Sequence, residues 1–129
     1  MESDRYKIGL EKYKELFGEQ GKMVIDAISD LSPDFAKLTI EFPFGDVISR
    51  PEVDLKTREL ATVAALTAMG TAAPQLKVHI NGALNVGCSP HEIIEIIFQM
   101  SLYAGFPAAL NGLFAAKEIF DERNIKIGS

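Results

Sequence analysis

Apolar side chains recur at intervals of three and four along most of this chain, the spacing of a helix face rather than the alternation of a strand. Tyr6, Leu10, Tyr13 and Phe17 lie among charges at that spacing, which predicts an amphipathic surface helix over 4–17 with Gly18 as its stop. A short helix over 23–28 follows. Ser32 and Pro33 supply an N-cap and a proline in the first helical position, opening a helix that Pro43 must end or kink. The stretch 41–51 then reads as a loop or broken helix whose aromatics need somewhere to pack. Asp54 is placed to cap a helix running to Met69, where Gly70 closes it, and Pro74 and Gly87 bracket the next, over 75–86. Ser89, Pro90 and Glu92 form the clearest start signal, a capping box with proline at the first position, for a helix that runs to about Ala104. Gly105-Phe106-Pro107 breaks it, a last helix spans 107–123, and the tail after Asn124 is expected to be loose. The expected fold is all-α, with about six to seven helices. A chain of 129 residues has room for one core, so a single domain over 1–129 is expected.

Charge changes this picture more than composition does. Thirteen basic and 18 acidic residues leave a net charge of −5, which argues against a phosphate-tracking nucleic-acid binder and a protein drawn to anionic lipid. Within 60–116 the only formally charged residues are Lys77, Glu92 and Glu95. The longest uncharged run, 96–116, approaches a membrane span in length, but Gly105, Pro107, Asn111 and Gly112 interrupt it, so a transmembrane helix is rejected. A small domain has limited interior, and so long a weakly charged segment belongs in a core or a subunit interface. Self-association is the first expectation about partners. One cysteine cannot make an intrachain disulfide, a CxxC redox pair or a Cys-rich zinc site, and two histidines leave little for a His-based metal site. No basic stretch leads into an apolar one at the start, and the cytoplasm is the expected location.

Few residues in the charge-poor middle can carry chemistry. On the helix over 75–86, Leu76, Ile80 and Ala83 form an apolar stripe, with Lys77, Asn81 and Asn85 on the opposite side. His79 points to the buried side or its edge, and Gln75, one turn before it, is placed to hydrogen-bond the ring. Position alone reads His79 as a core-edge histidine satisfied by a neighbouring carbonyl; the functional alternative is a general acid or base, because imidazole titrates near neutral pH. Glu59 shares a face with Val63 and Leu66, where a carboxylate is costly unless paired. Its bland alternative is a first-turn acid stabilised by the helix dipole, or a partner for Lys56 or Arg58. Arg50 and Arg58 flank the short segment 51–54, and either can hold a substrate carboxylate bidentately or sit in a surface ion pair. Cys88 precedes the Ser89 cap, where a helix N-terminus lowers a thiol's pKa, yet a lone cysteine there reads first as a small residue buried at a helix entry. His91, in an exposed first turn, is assigned no role. There is no Gly-rich phosphate loop, GxSxG elbow, HExxH or paired-carboxylate motif.

The segments 44–51 (Phe-Gly-Asp-Val-Ile-Ser-Arg-Pro), 55–60 (Leu-Lys-Thr-Arg-Glu-Leu) and 75–87 (Gln-Leu-Lys-Val-His-Ile-Asn-Gly-Ala-Leu-Asn-Val-Gly) resemble the carboxymuconolactone decarboxylase family. Glu92-Ile93 and 103–109 (Tyr-Ala-Gly-Phe-Pro-Ala-Ala) fit the same pattern, so the resemblance covers most of the chain after about Ser32. It implies an all-helical fold that assembles as a ring-like homo-oligomer, a hexamer or trimer. The alkylhydroperoxidase-like branch of the superfamily is similar in having a glutamate, a CxxC pair and a histidine four residues beyond the second cysteine. Counting back from His79 puts Ala72 and Gln75 at those two positions, and Cys88 lies beyond the histidine. The redox pair is missing, and thiol-based, peroxiredoxin-like peroxide reduction is the disfavoured alternative. The branch that keeps the histidine without the pair decarboxylates a carboxylated muconolactone in aromatic catabolism, giving an enol-lactone of 3-oxoadipate without a cofactor. On that resemblance His79 is implied as proton donor, Glu59 as the group that tunes or orients it, Arg50 or Arg58 as the anchor of an acidic group, and Gln75 as a neutral hydrogen bond. No cofactor or metal is expected. A third alternative is a non-catalytic helical oligomer that binds a small ligand.

Overall fold

The computed structural model describes residues 2–128. Among them the chain is all-helical, in the order α1 (Asp4–Leu31), α2 (Pro33–Thr39), a π-helical segment (Ile40–Ile48), α3 (Leu55–Met69), α4 (Ala73–Asn85), α5 (Pro90–Ala104) and α6 (Phe106–Glu122). No described helix is long and apolar enough to cross a membrane. Backbone contacts gather into two units, one up to Leu55 and one from Lys56 onward.

In the first unit the Ser3 hydroxyl caps α1 by accepting from the Tyr6 N–H at 3.1 Å, and it donates to the buried Glu41 carboxylate. Gly18 is not the expected stop. It takes φ +58° and ψ −144°, a conformation open to glycine, and the helix kinks there and runs on to Leu31, absorbing the separate helix expected over 23–28. Ser32 ends α1 and caps α2, its hydroxyl accepting from the Phe35 N–H at 3.2 Å. The break expected at Pro43 is also absent. A proline ring collides with the carbonyl four residues back in an α-helix, and here the chain widens into π turns over Ile40–Ile48, which relieves the collision without ending the helix. The π segment packs closely on α1 through Gly9 and Gly45. A Cβ on Gly9 would strike the Ile40 carbonyl oxygen, and one on Gly45 the Arg5 carbonyl oxygen. Phe44 stacks edge-on against Tyr13 and Phe17, with ring centroids 5.1 and 5.7 Å apart. Arg5 grips Asp46 bidentately, at 2.9 and 2.7 Å, and holds the Asp46 carboxyl below its ordinary range.

In the second unit, Val63 of α3, Leu76, Ile80 and Ala83 of α4, Ile93 and Ile97 of α5, and Ala116 and Ile119 of α6 form the core. Helix α6 packs closely on both α4 and α5, whereas α3 reaches its neighbours chiefly through side chains. The Ser89 capping box is present in full: Ser89 Oγ accepts from the Glu92 N–H at 3.0 Å and Glu92 Oε1 accepts from the Ser89 N–H at 2.8 Å. Helix α4 starts at Ala73, with Pro74 inside its first turn, and α6 starts at Phe106, one or two residues ahead of the sequence expectation. The tail is not loose at its start, because the Ile125 N–H bonds the Phe120 carbonyl at 2.8 Å and its side chain packs against the core.

Candidate active site

The residues that α3 buries are Glu59, Val63 and Thr67, one helical stripe at i, i+4 and i+8. That stripe turns a carboxylate inward, and Glu59 is only 1% exposed. On α4 the burial of Leu76, Ile80 and Ala83 sets the rotation of the helix and leaves His79 at the edge of the core, its side chain 22% exposed. The two meet: His79 Nδ1 lies 2.9 Å from Glu59 Oε2, between residues 20 apart in sequence. An ionised carboxylate only accepts, so opposite one the hydrogen of this bond sits on His79 Nδ1. Neither Lys56 nor Arg58 is the carboxylate's partner, as the bland alternative had it.

The second carboxylate oxygen, Glu59 Oε1, is buried and has no hydrogen-bond partner within the protein. Burying a carboxylate on one hydrogen bond is costly, and a protonated ring offsets that cost with a full opposite charge.

The far side of α4 is tied to α6. Lys77 pairs with Glu118, and the Arg123 guanidinium donates to Asn81 Oδ1 at 2.8 Å, to Asn85 Oδ1 at 2.8 Å and to the Asn81 carbonyl at 3.2 Å. These bonds fix the azimuth of the helix that presents His79. The sequence carried a signal for them, since Lys77, Asn81 and Asn85 form a polar stripe needing a charged or donor partner, but nothing local named Arg123.

The other candidates fall as follows. Arg58 is part-buried on α3, and Arg50 is exposed, in the first unit just after the π segment. Gln75 is exposed, and the ring's Nδ1 bonds Glu59 rather than Gln75. Cys88 is 4% exposed, its thiol 3.5 Å from the Lys56 carbonyl, which is the buried helix-entry role. His91 is exposed in the first turn of α5. Among the described residues no group of three or more histidine, cysteine, aspartate or glutamate side chains converges to hold a metal.

Residues 33–118, which include both Glu59 and His79, match the model of the carboxymuconolactone decarboxylase family. The chain belongs to that family. Among carboxymuconolactone decarboxylase relatives it is 35% identical over 125 residues to 4-carboxymuconolactone decarboxylase of Acinetobacter baylyi, covering 96% of this chain and 92% of that protein. It is 37% identical over 99 residues to an uncharacterized protein of Paracoccus denitrificans, covering 76% of this chain and 74% of the other. With nitrosuccinic acid decarboxylase of Metarhizium robertsii it shares 26% identity over 117 residues, covering 88% and 80%. The family relationship supports a decarboxylase-like activity, and the single cysteine leaves no CxxC pair for the thiol chemistry of the other branch.

Proposed function

We propose that this protein is a cofactor-independent decarboxylase of a carboxylated lactone or a similar acid, with His79 as proton donor and Glu59 as the group that tunes or orients it. The observation that carries this reading is the 2.9 Å bond from His79 Nδ1 to a buried carboxylate. The names of two relatives point to the substrate class: one acts on a carboxylated lactone and the other on a nitro-substituted acid. In both, the departing carboxylate leaves behind an electron pair that an acceptor group can take up. The C–C bond to the carboxylate breaks, carbon dioxide departs, and the pair delocalises towards the lactone carbonyl as a dienolate. His79 Nε2–H then protonates carbon, and solvent returns a proton to the ring. Arg58, part-buried on the helix that carries Glu59, anchors an acidic group of the substrate. No step needs an oxidant or a metal.

Lactone consumption by purified protein tests the reading. His79→Gln should lower kcat by about 10²–10⁴, the usual worth of general acid catalysis, with the helical content unchanged. Glu59→Gln should cost less, because it leaves a ring that can still donate. Turnover by folded His79→Gln at the wild-type rate would remove the histidine from the mechanism.

We infer in addition that the partner is a second copy of this chain. Phe98, Leu102 and Tyr103 of α5 and Phe106, Leu110 and Phe114 of α6 are all exposed, at helical spacing, and Phe98, Phe106 and Leu110 line a groove between the two helices with Ser101, Ala109 and Leu113. No charged side chain occurs from Ile96 to Ala116. Burying this face would remove on the order of 800 Å² per copy, the size of a standard stable interface, and an uncharged face suits a permanent homomeric contact better than a transient one.

A further inference from the structure

Helix α3 carries Glu59 but is the helix of its unit least held by neighbouring backbone. Its first turn is tied down by two side-chain contacts. Lys56 Nζ lies 3.2 Å from Glu92 Oε1 at the start of α5. The Cys88 thiol, buried in the turn between α4 and α5, points at the Lys56 carbonyl at 3.5 Å. Neither anchor is loose. The Glu92 oxygen that meets Lys56 also accepts from the Ser89 N–H, and the Cys88 N–H is fixed to the Ala83 carbonyl at 2.9 Å. The Ser89 N–H and then Lys56 hold the Glu92 carboxyl below its ordinary range, so the anion persists.

Lys56 and Glu59 are three residues apart on one helix and therefore neighbours on one face. The turn that closes the helix bearing His79 and the cap that opens α5 thus grip the turn of α3 from which Glu59 projects. We propose that Lys56 and Glu92 are positioning residues for the Glu59–His79 pair: they set where α3 begins and hold the carboxylate within hydrogen-bond reach of the ring. A displacement of about 1 Å would stretch that bond past useful length, and such a displacement near a reacting group can cost ~10²-fold in rate. The proposal rests on the decarboxylase reading only for its kinetic arm.

Glu92→Gln is the discriminating variant. Glutamine at this position still completes a capping box, so α5 keeps its start while the charge facing Lys56 is lost. Lys56→Met removes the same contact from the other side. The first readout is the ring tautomer of His79, from the ring-nitrogen shifts of ¹⁵N-histidine-labelled protein recorded over a pH series and read at its neutral limit. Wild type should hold its proton on Nδ1, and both variants should move it substantially to Nε2. The second readout is kinetic: kcat should fall about tenfold with KM unchanged, and the loss should largely vanish in a Glu59→Gln background, because the contact acts through Glu59. An unchanged tautomer in both folded variants, or losses that add to that of Glu59→Gln, would overturn the positioning role. If the wild type turns over no carboxylated lactone, the decarboxylase reading fails on its own, and the tautomer still decides this proposal.

Discussion

Glu59 and Tyr13 are both polar side chains packed into apolar surroundings, and they meet the cost of burial in different ways. Tyr13 is 6% exposed and stays neutral, its hydroxyl donating to the Gly21 carbonyl at 2.7 Å. Burial pushes its phenol up to about 12, from an ordinary value of 10.0. Because the folded protein holds this proton more tightly than the unfolded chain does, the contribution to stability is complete below about pH 10 and is lost as pH rises towards 12. The contribution is about 3 kcal/mol at most. Urea unfolding between pH 9 and 12 should show a steeper decline for wild type than for Tyr13→Phe, which has no phenol to ionise; parallel curves would refute the assignment. Glu59 is paired through one oxygen with another titratable group instead, which is why it has chemistry to offer and Tyr13 does not. Both members of the pair were visible in the sequence by position, each at an apolar face. Their meeting was not, because helix spacing gives the direction of a side chain and says nothing of which helix lies opposite. The local logic that offered Lys56 as partner to Glu59 failed for that reason: Lys56 reaches across to Glu92.

Helix starts were legible wherever their chemistry is local. The Ser32-Pro33 and Ser89-Pro90 starts each need only a hydroxyl and the N–H two or three residues on, and both caps form. The π segment was not legible, since its cause is not local. Pro43 forbids an ordinary α turn, and what keeps the chain helical past it is packing against α1, in which Gly9 sits against the Ile40 carbonyl at the very start of the widened turns. A proline without that support would have broken the helix, as the sequence suggested. Gly9→Ala tests the dependence of one element on the other. A methyl driven into backbone cannot be accommodated by turning a side chain, so the variant should lose about 3 kcal/mol, read as a lower midpoint in urea. Ile8→Ala, an exposed neighbour on the same helix, should change stability by less than about 0.5 kcal/mol. Equal effects at the two positions would mean that the close approach of α1 to the π segment contributes nothing particular.

At the scale of the whole molecule, charge is placed with the same economy as in the site. The chain carries a net charge of −5, yet its middle is almost uncharged. The fold uses part of that segment for the core of the second unit and leaves the remainder, on α5 and α6, facing outward: Tyr103 is 83% exposed and Leu102 74%. The proposed self-association would cover this surface, with the groove between α5 and α6 within it. Sedimentation equilibrium at micromolar concentration should therefore give a mass that is a multiple of 14.1 kDa. Phe106→Asp puts a charge in the centre of the face without touching the buried core, and it should shift the protein towards 14.1 kDa with its helical content intact. Leu31→Asp, at an exposed apolar position of the first unit, should leave the assembly unchanged. A wild type that sediments as a monomer, or an assembly indifferent to Phe106→Asp, would show that the uncharged face of α5 and α6 serves something other than self-association.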